Sequence, residues 1–110
     1  MDLNSGPRRR LPAKEKSIAD IRSDKDVRVR IMGTIIGKGD NYLMVDDGTA
    51  SAQIGFVNLE LMKGFEEGQF IKIITRILPL IDGYECRGEA IQDLTGINLE
   101  LYKKAHDILG

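Results

Sequence analysis

Alternation of apolar and polar residues between Asp26 and Phe56 is the feature that most restricts the fold of this chain. The segments Gly37–Asn41 and Asp46–Thr49, rich in glycine and aspartate, interrupt the alternation twice. The apolar positions are Val27, Val29 and Ile31, then Leu43 and Val45, then Ala52, Ile54 and Phe56. A period of two between turn-forming residues predicts three consecutive antiparallel strands.

Two glycines, Gly33 and Gly37, interrupt the first of these strands. Glycine inside a strand often marks a bulge or a sharp bend. A small barrel needs such a bend where its first strand belongs to both of its sheets. The pattern therefore favours a barrel over a flat sheet.

The remaining pattern predicts one short helix and two more strands. Residues 58–65 read as the helix, and residues 69–78 as a fourth strand with isoleucines along one face. The turn Asp82-Gly83 precedes a fifth strand, which covers residues 84–91. Ser17–Ser23 predicts a helical turn or a short lead-in segment, anchored on the barrel by Ile18 and Ile21.

Both ends of the chain differ from this pattern. Residues 1–16 contain Arg8, Arg9 and Arg10 without apolar periodicity, and we interpret them as a flexible basic arm. That arm is either a solvated tail or a contact to phosphate or to an acidic partner surface. The expected organisation is the arm over 1–16, a barrel over 17–94 and a C-terminal helix over 95–110.

The C-terminal segment has helical periodicity, with Thr95 as a candidate N-cap. A helix this short is marginal in water, so its apolar stripe must be buried against something. The stripe, which we interpret as a partner-binding surface, consists of Ile97, Leu101, Tyr102, Ala105, Ile108 and Leu109.

Three strands, a short helix and two further strands are typical of the five-stranded OB-fold, a Greek-key barrel of the all-β class. The segments VRVRIMGTIIGKGDNYLMVDDGTA, GQFIKIITRIL and GYECRGEAIQDLTGINLELYKKAHDIL resemble the middle and small subunits of replication protein A, including archaeal versions. The resemblance implies a C-terminal helix that packs with sister subunits of a complex that binds single-stranded DNA. It also implies roles in DNA replication and repair.

Binders of single-stranded DNA stack bases on exposed aromatic rings beside a basic groove. Tyr42 and Tyr84 are the candidate stacking platforms, although both rings can equally pack on the barrel or on a partner. The candidate basic residues are Arg28, Arg30, Lys38, Lys72, Arg76 and Arg87, for which a solvated sheet face is the competing interpretation. The chain has no tryptophan and a formal net charge of -1, so we expect weak binding or binding shared with partners.

The residues that could carry catalysis are few and poorly placed for it. His106 is the one histidine and Cys86 the one cysteine, and we expect Asp46 and Asp47 to form a turn rather than bind a metal. We find no nucleotide-binding glycine loop and no nucleophile with a plausible base. We therefore expect no enzyme, no cofactor, no metal, no small-molecule substrate and no membrane association. The expected location is intracellular, cytoplasmic in a prokaryote or nuclear in a eukaryote.

Three functions remain open at this point. The first is a non-catalytic subunit of a replication-protein-A-like complex, with weak or shared binding of single-stranded DNA. The second is a structural OB module that serves only protein–protein assembly, which the near-neutral charge and the few aromatic residues favour. The third is an RNA-binding domain of the tRNA-binding type, although such domains usually lie within longer enzymes.

Overall fold

The computed structural model describes residues 13–96, which form strands and two short 3-10 helices. The strands are β1 (Lys14–Glu15), β2 (Arg28–Lys38), β3 (Tyr42–Asp46), β4 (Ser51–Gly55), β5 (Phe70–Pro79) and β6 (Tyr84–Asp93), and the helices are Ile18–Asp20 and Leu59–Met62. Neither helix in this described range is long and apolar enough to cross a membrane. The predicted C-terminal helix lies outside the described residues except for Thr95 and Gly96.

Strands β2 to β6 close into an all-β barrel in the order β2-β3-β4-β6-β5, with β5 pairing back onto β2. The three-strand antiparallel meander β2-β3-β4 is confirmed. β5 and β6 form a second antiparallel hairpin, and β6 joins β4 through a short parallel pairing. The predicted five-stranded barrel is therefore confirmed, with strand boundaries within about two residues of those expected.

The bend predicted from the two glycines occurs where β2 changes partner. Residues 28–34 of β2 pair with β5, residues 34–38 pair with β3, and the register shifts between Ile35 and Gly37. A Cβ atom at Gly33 would lie only 2.7 Å from the carbonyl oxygen of Asp46 and 2.8 Å from Cγ1 of Val45. Only glycine allows β3 to approach β2 this closely at the bend.

The barrel interior is filled by the alternating apolar residues. Ile31, Leu43, Ile54 and Ile73 are completely buried, as the period of two predicts. Val27 is an exception, because 44% of its surface is exposed. It precedes the first paired residue of β2, so only its carbonyl oxygen joins the sheet, through a 2.8 Å hydrogen bond from the Ile77 amide.

Of the three phenylalanines, Phe56 is buried, as the alternation predicts. Phe65 is partly buried against the core, and Phe70 is half-buried at the start of β5. The short helix predicted after β4 is present as a single 3-10 turn, and the Asn58 side chain caps it by accepting a hydrogen bond from the Glu60 amide. The core prediction therefore holds most fully inside the paired strands.

The lead-in segment crosses the barrel and is attached at both ends. Ile18 and Ile21 are buried against the core, as predicted. Upstream of them, β1 pairs in parallel with β2, whereas the sequence suggested a flexible arm through residue 16. Lys16 accounts for the difference, because its Nζ lies 2.9 Å from the buried carboxylate of Asp26 and holds the segment in place.

The turn between β3 and β4 is hydrogen-bonded to the lead-in segment. Asp47 Oδ2 accepts a 2.7 Å hydrogen bond from the Ile18 amide, and its Oδ1 accepts a 2.6 Å bond from the Thr49 hydroxyl. Burial alone would raise the pKa of the Asp47 carboxyl, but these hydrogen bonds outweigh burial and lower it. Asp47 is thus a turn-former, as expected, and also joins two parts of the fold.

Candidate nucleic-acid interface

Four of the predicted binding residues lie in one row of directly paired positions around the barrel. Arg28 of β2 is opposite Arg76 of β5, and Arg76 is opposite Arg87 of β6. Arg87 is in turn paired with Gly55 of β4, and Gly55 with Tyr42 of β3. The row (Arg28, Arg76, Arg87, Gly55 and Tyr42) therefore crosses all five strands of the barrel.

The row faces outward. The residue next to each member on its strand is buried, and directly paired residues of a sheet share a face. These inward neighbours are Val29, Thr75, Cys86, Ile54 and Leu43. The side chains of the row consequently stand on the outer surface, where a bound chain could cross the strands.

Tyr42 stands at one end of the row, beside the loop between β2 and β3. Its ring lies directly against Gly39, so that a Cβ atom at that position would collide with it. The Gly39 amide donates a 2.9 Å hydrogen bond to the Tyr42 carbonyl oxygen. The half-buried ring is therefore supported on one side by the loop between β2 and β3. Its neighbour in the row is Gly55, which has no side chain.

The three arginines of the row differ in how their charge is compensated. The guanidinium of Arg28 lies 2.7 Å from the Glu89 carboxylate, and both side chains are largely covered. Arg87 pairs with Glu85 at 2.8 Å, but both of these side chains are more than 40% exposed. Arg76 is exposed and lies between them, and no ion pair to it is found within residues 13–96.

Arg30 and Lys72 also belong to outward-facing positions, beyond the row. Arg30 is paired with Ile74, and Lys72 with Met32. Nε of Arg30 lies 3.5 Å from the Glu15 carboxylate of β1, so this guanidinium faces the lead-in segment. Arg30 lies two residues along β2 from Arg28, and Lys72 lies four residues along β5 from Arg76, so neither residue is part of the row.

Lys38 and Tyr84 lie apart from the row. Past the register shift, Lys38 is paired with the buried Leu43, and its Nζ donates a 2.8 Å hydrogen bond to the Phe65 carbonyl oxygen. Tyr84 lies on the same face of β6 as the buried Cys86 and packs partly against the core. This burial raises the pKa of its phenol. For Tyr84, packing on the barrel is the arrangement that the structure shows.

The surroundings of the row are not uniformly positive. Asp46 lies on the same outer face of β3 as Tyr42, and Glu85 lies beside Arg87 on β6. Residues 13–96 contain 11 lysines and arginines against 14 aspartates and glutamates, a formal charge of −3. The positive charge of this surface is therefore local and confined to the arginines.

Gly55 is the member of the row that the sequence did not single out. A glycine at an outward strand position is one available signal, because it allows close approach of a ligand. The pairing of Gly55 with Arg87 joins β4 to β6, which are distant in sequence. Nothing in the linear pattern indicates this register.

The predicted partner-binding stripe, from Ile97 to Leu109, lies outside the described residues. The last strand ends at Asp93, and two residues later the Thr95 hydroxyl accepts a 3.1 Å hydrogen bond from the Phe70 amide. Within residues 13–96, the structure contains no group of three histidine, cysteine, aspartate or glutamate side chains arranged to hold a metal ion.

A closed five-stranded barrel whose first strand pairs with both its second and its fourth strand is the OB-fold. Solved structures with this fold resemble the chain over most of its length, whereas no protein-family model and no curated protein matches it. The telomere capping protein Ten1 from Saccharomyces pombe is 25% identical, with a TM-score of 0.66 over 86% of this chain and 93% of that one.

Two further structures show the same fold. A chain of the S. pombe Stn1–Ten1 complex is 24% identical, with a TM-score of 0.67 over 90% of this chain and 92% of that one. A chain of a replication protein A heterotrimer bound to single-stranded DNA is 8% identical, with a TM-score of 0.58 over 81% of this chain and 78% of that one.

Proposed function

We propose that this protein is a non-catalytic OB-fold subunit of a complex, of the replication-protein-A type, that binds single-stranded DNA. The observation that carries the proposal is the row in which Tyr42 and three arginines line up across the barrel. An aromatic ring for a base, next to guanidinium groups for phosphates, is the combination that binds single strands without sequence preference.

In this proposal the strand crosses β3, β4, β6 and β5. One base stacks on the Tyr42 ring, and the gap at Gly55 brings the backbone close to the sheet. Arg87 and Arg76 then contact consecutive phosphates. Arg76 contributes most of the electrostatic attraction, because Arg28 and Arg87 already have carboxylate partners.

Binding by the isolated chain is expected to be weak. A stacked base contributes about 1–3 kcal/mol, and the row contains one aromatic ring. The negative charge of the barrel opposes a polyanion. Sister subunits therefore complete the binding surface, and the stripe that includes Leu101 and Ile108 is the proposed contact to them.

The structural neighbours support an assembly of this kind. One belongs to the Stn1–Ten1 complex, and another to a replication protein A heterotrimer bound to single-stranded DNA. These neighbours are themselves subunits of complexes, and this chain shares their fold over most of its length.

The experiment is a fluorescence-anisotropy titration of the full chain with oligo(dT) of about 16 nucleotides, the upper end of OB-fold site sizes. Tyr42→Leu removes the ring and is expected to weaken binding about tenfold, whereas Tyr42→Phe keeps the ring and retains most of the affinity. Arg76→Gln removes the one charge of the row that has no ion pair within residues 13–96, and it is expected to weaken binding several-fold.

Lys63→Gln is the matched control for Arg76→Gln. Lys63 is exposed beside the helix Leu59–Met62 and pairs with Glu60, so it shares the charge but not the row. If Tyr42→Leu and Arg76→Gln bind as the parent chain does, the row is not the binding surface and the proposal fails.

A structural assembly module is the second candidate, and one observation favours it. Leu80 and Ile81, in the turn between β5 and β6, are 54% and 108% exposed, so two adjacent apolar side chains are available for a protein partner to cover. Under this alternative, oligo(dT) does not bind at all. Charged substitutions at Leu101 and Ile108 would dissociate the assembly under both hypotheses.

A further inference from the structure

Strand β1 places a carboxylate beside an arginine of the outer surface. Glu15 of β1 is directly paired with Arg30 of β2. Arg30 stands on the outer face of β2, because its neighbours Val29 and Ile31 are buried, and directly paired residues share a face. The Glu15 carboxylate consequently lies 3.5 Å from Nε of Arg30, at the edge of the sheet that β1 forms.

The contact between these two groups is incomplete. Nε of Arg30 is buried, yet it finds no hydrogen-bond acceptor among residues 13–96. Arg28 differs, since its Nε donates a 2.7 Å hydrogen bond to the Glu89 carboxylate. A buried N–H group without an acceptor is unfavourable, so an oxygen that reached it with better geometry would be bound. The side chains of Arg30 and Glu15 are both partly exposed, which leaves the pair open to exchange.

Arg30 also lies beside the part of the row to which we assign a phosphate. It is paired with Ile74, and Arg76 follows two residues further along β5. Residues in this diagonal relation across two strands are roughly 7–8 Å apart, within reach of long side chains. Arg76 is the arginine of the row that has no ion pair within residues 13–96. A DNA backbone held by Arg76 therefore passes close to a second guanidinium group.

β1 is attached firmly enough to keep Glu15 at this position. The Lys16 amide donates a 3.1 Å hydrogen bond to the Arg30 carbonyl oxygen, and the Lys16 ammonium group lies 2.9 Å from the buried Asp26 carboxylate. Ile18, two residues further on, is buried in the core. A carboxylate that is tethered beside a guanidinium group competes with dissolved anions at a high effective concentration.

We infer that the Glu15 carboxylate occupies, on Arg30, the place of a phosphate of the bound strand, so that β1 competes with single-stranded DNA for this arginine. The inference rests on the proposed function, because it assigns one further phosphate contact to the same surface. Guanidinium groups bind carboxylate and phosphate oxygens with the same geometry, so one anion can replace the other. The Glu15 side chain turns away when DNA binds, while the backbone of β1 stays paired with β2.

The test is oligo(dT) binding by the full chain, measured by fluorescence anisotropy at several salt concentrations. Glu15→Gln keeps the size of the side chain and removes its charge, so it should bind several-fold more tightly than the parent chain. It should also steepen the slope of log Kobs against log salt concentration by about 0.7, the contribution of one more phosphate contact to a single strand.

Glu60→Gln is the matched control for Glu15→Gln. It removes the same charge and frees Lys63, just as Glu15→Gln frees Arg30, but at the helix Leu59–Met62 rather than beside the row. Glu60→Gln should therefore leave the slope unchanged.

Arg30→Gln shows whether the gain depends on this arginine. In the Arg30→Gln background, the additional change Glu15→Gln should alter affinity and slope no more than Glu60→Gln does. A gain that survives in this background would mean that Glu15 acts only by general repulsion of a polyanion, which overturns the inference.

Two further outcomes separate the inference from the proposed function. If Glu15→Gln binds as the parent chain does, β1 does not compete with DNA, while the proposed function stands. If neither the parent chain nor Glu15→Gln binds oligo(dT) at any salt concentration, the proposed function and the inference fail together.

Discussion

Tyr42 and Arg87 lie on either side of Gly55 in one row of paired strand positions, so the residue between the ring and the guanidinium has no side chain. These three residues come from β3, β4 and β6, and only the closed barrel brings them together. The gap gives a ligand direct access to the sheet between an aromatic group and a cationic one. The proposed contact to DNA depends most on this arrangement.

Filling the gap should impair binding without harming the fold. A Cβ atom at Gly55 would lie 3.8 Å from the Cys86 carbonyl oxygen and 3.9 Å from that of Asn41, which are ordinary contacts. Gly55→Val should therefore keep the melting temperature of the parent chain or raise it, since valine favours strands. It should weaken oligo(dT) binding about tenfold, roughly the loss of one stacked base.

Gly55→Ala is the graded control for that experiment. Its single methyl group should cost less affinity than the valine side chain. If both variants bind oligo(dT) as tightly as the parent chain does, no ligand approaches the sheet at Gly55.

Asp47→Asn should destabilise the protein in a pH-dependent manner. The pKa of this carboxyl is lowered in the fold, because the hydrogen bonds it accepts outweigh the opposing effect of its burial. A carboxyl group whose pKa is lowered in the fold stabilises the protein fully when the pH is above its ordinary pKa of 3.8. That stabilisation is lost as the pH falls through the lower pKa of the folded state. The substitution should cost about 1–3 kcal/mol at pH 7.

Urea unfolding at pH 7 and at pH 3 tests this linkage. The difference in the free energy of unfolding between the parent chain and Asp47→Asn should shrink as the pH falls from about 5 to 3. Thr49→Val removes one of the hydrogen bonds and should show part of the effect. A difference that is equal at both pH values would contradict the stabilising role of the charged carboxylate.

Cys86 should be chemically inert in the folded protein. Burial raises the pKa of its thiol to about 11, and the side chain is 2% exposed. At pH 8 only about one thiol in a thousand is the reactive thiolate, and reagents cannot reach it. An aromatic disulfide reagent should therefore modify Cys86 only at the rate of unfolding, and quickly in urea. Rapid modification of the native chain would contradict this description of the core.

The sequence predicted the barrel well because the alternation that defines each strand can be read from neighbouring residues. Ile31, Leu43 and Ile73 are buried because each lies on the inner face of a strand whose period of two can be read directly. The bend at Gly33 was predictable for the same reason, since a glycine within an apolar strand commonly marks a bend or a bulge. The turn-forming residues between the strands predicted where each strand begins and ends.

The candidate site was harder to predict from the sequence, because it depends on the register between strands that are distant in sequence. The sequence named Tyr42, Arg76 and Arg87 separately, but their common row follows from how β6 pairs with both β5 and β4. Tyr84 shows the opposite case. It borders a loop in the sequence, yet its ring packs partly against the core.

The pairing of β1 with β2 could not be predicted from the sequence pattern either. Lys14 and Glu15 have neither apolar periodicity nor strand propensity. They pair with β2 because Ile18 and the bond between Lys16 and Asp26 hold the segment there. Long-range anchors of this kind outweigh local propensity.

The most direct test of the central claim, that the row binds single-stranded DNA, is a map of amide chemical shifts for the full chain during titration with oligo(dT). This measurement detects weak binding and locates it by residue. We expect the largest shifts on Tyr42, Gly55, Arg76 and Arg87, and we expect Lys63 and its surroundings to stay unchanged. The absence of shifts, or shifts confined to surfaces away from the row, would contradict the claim.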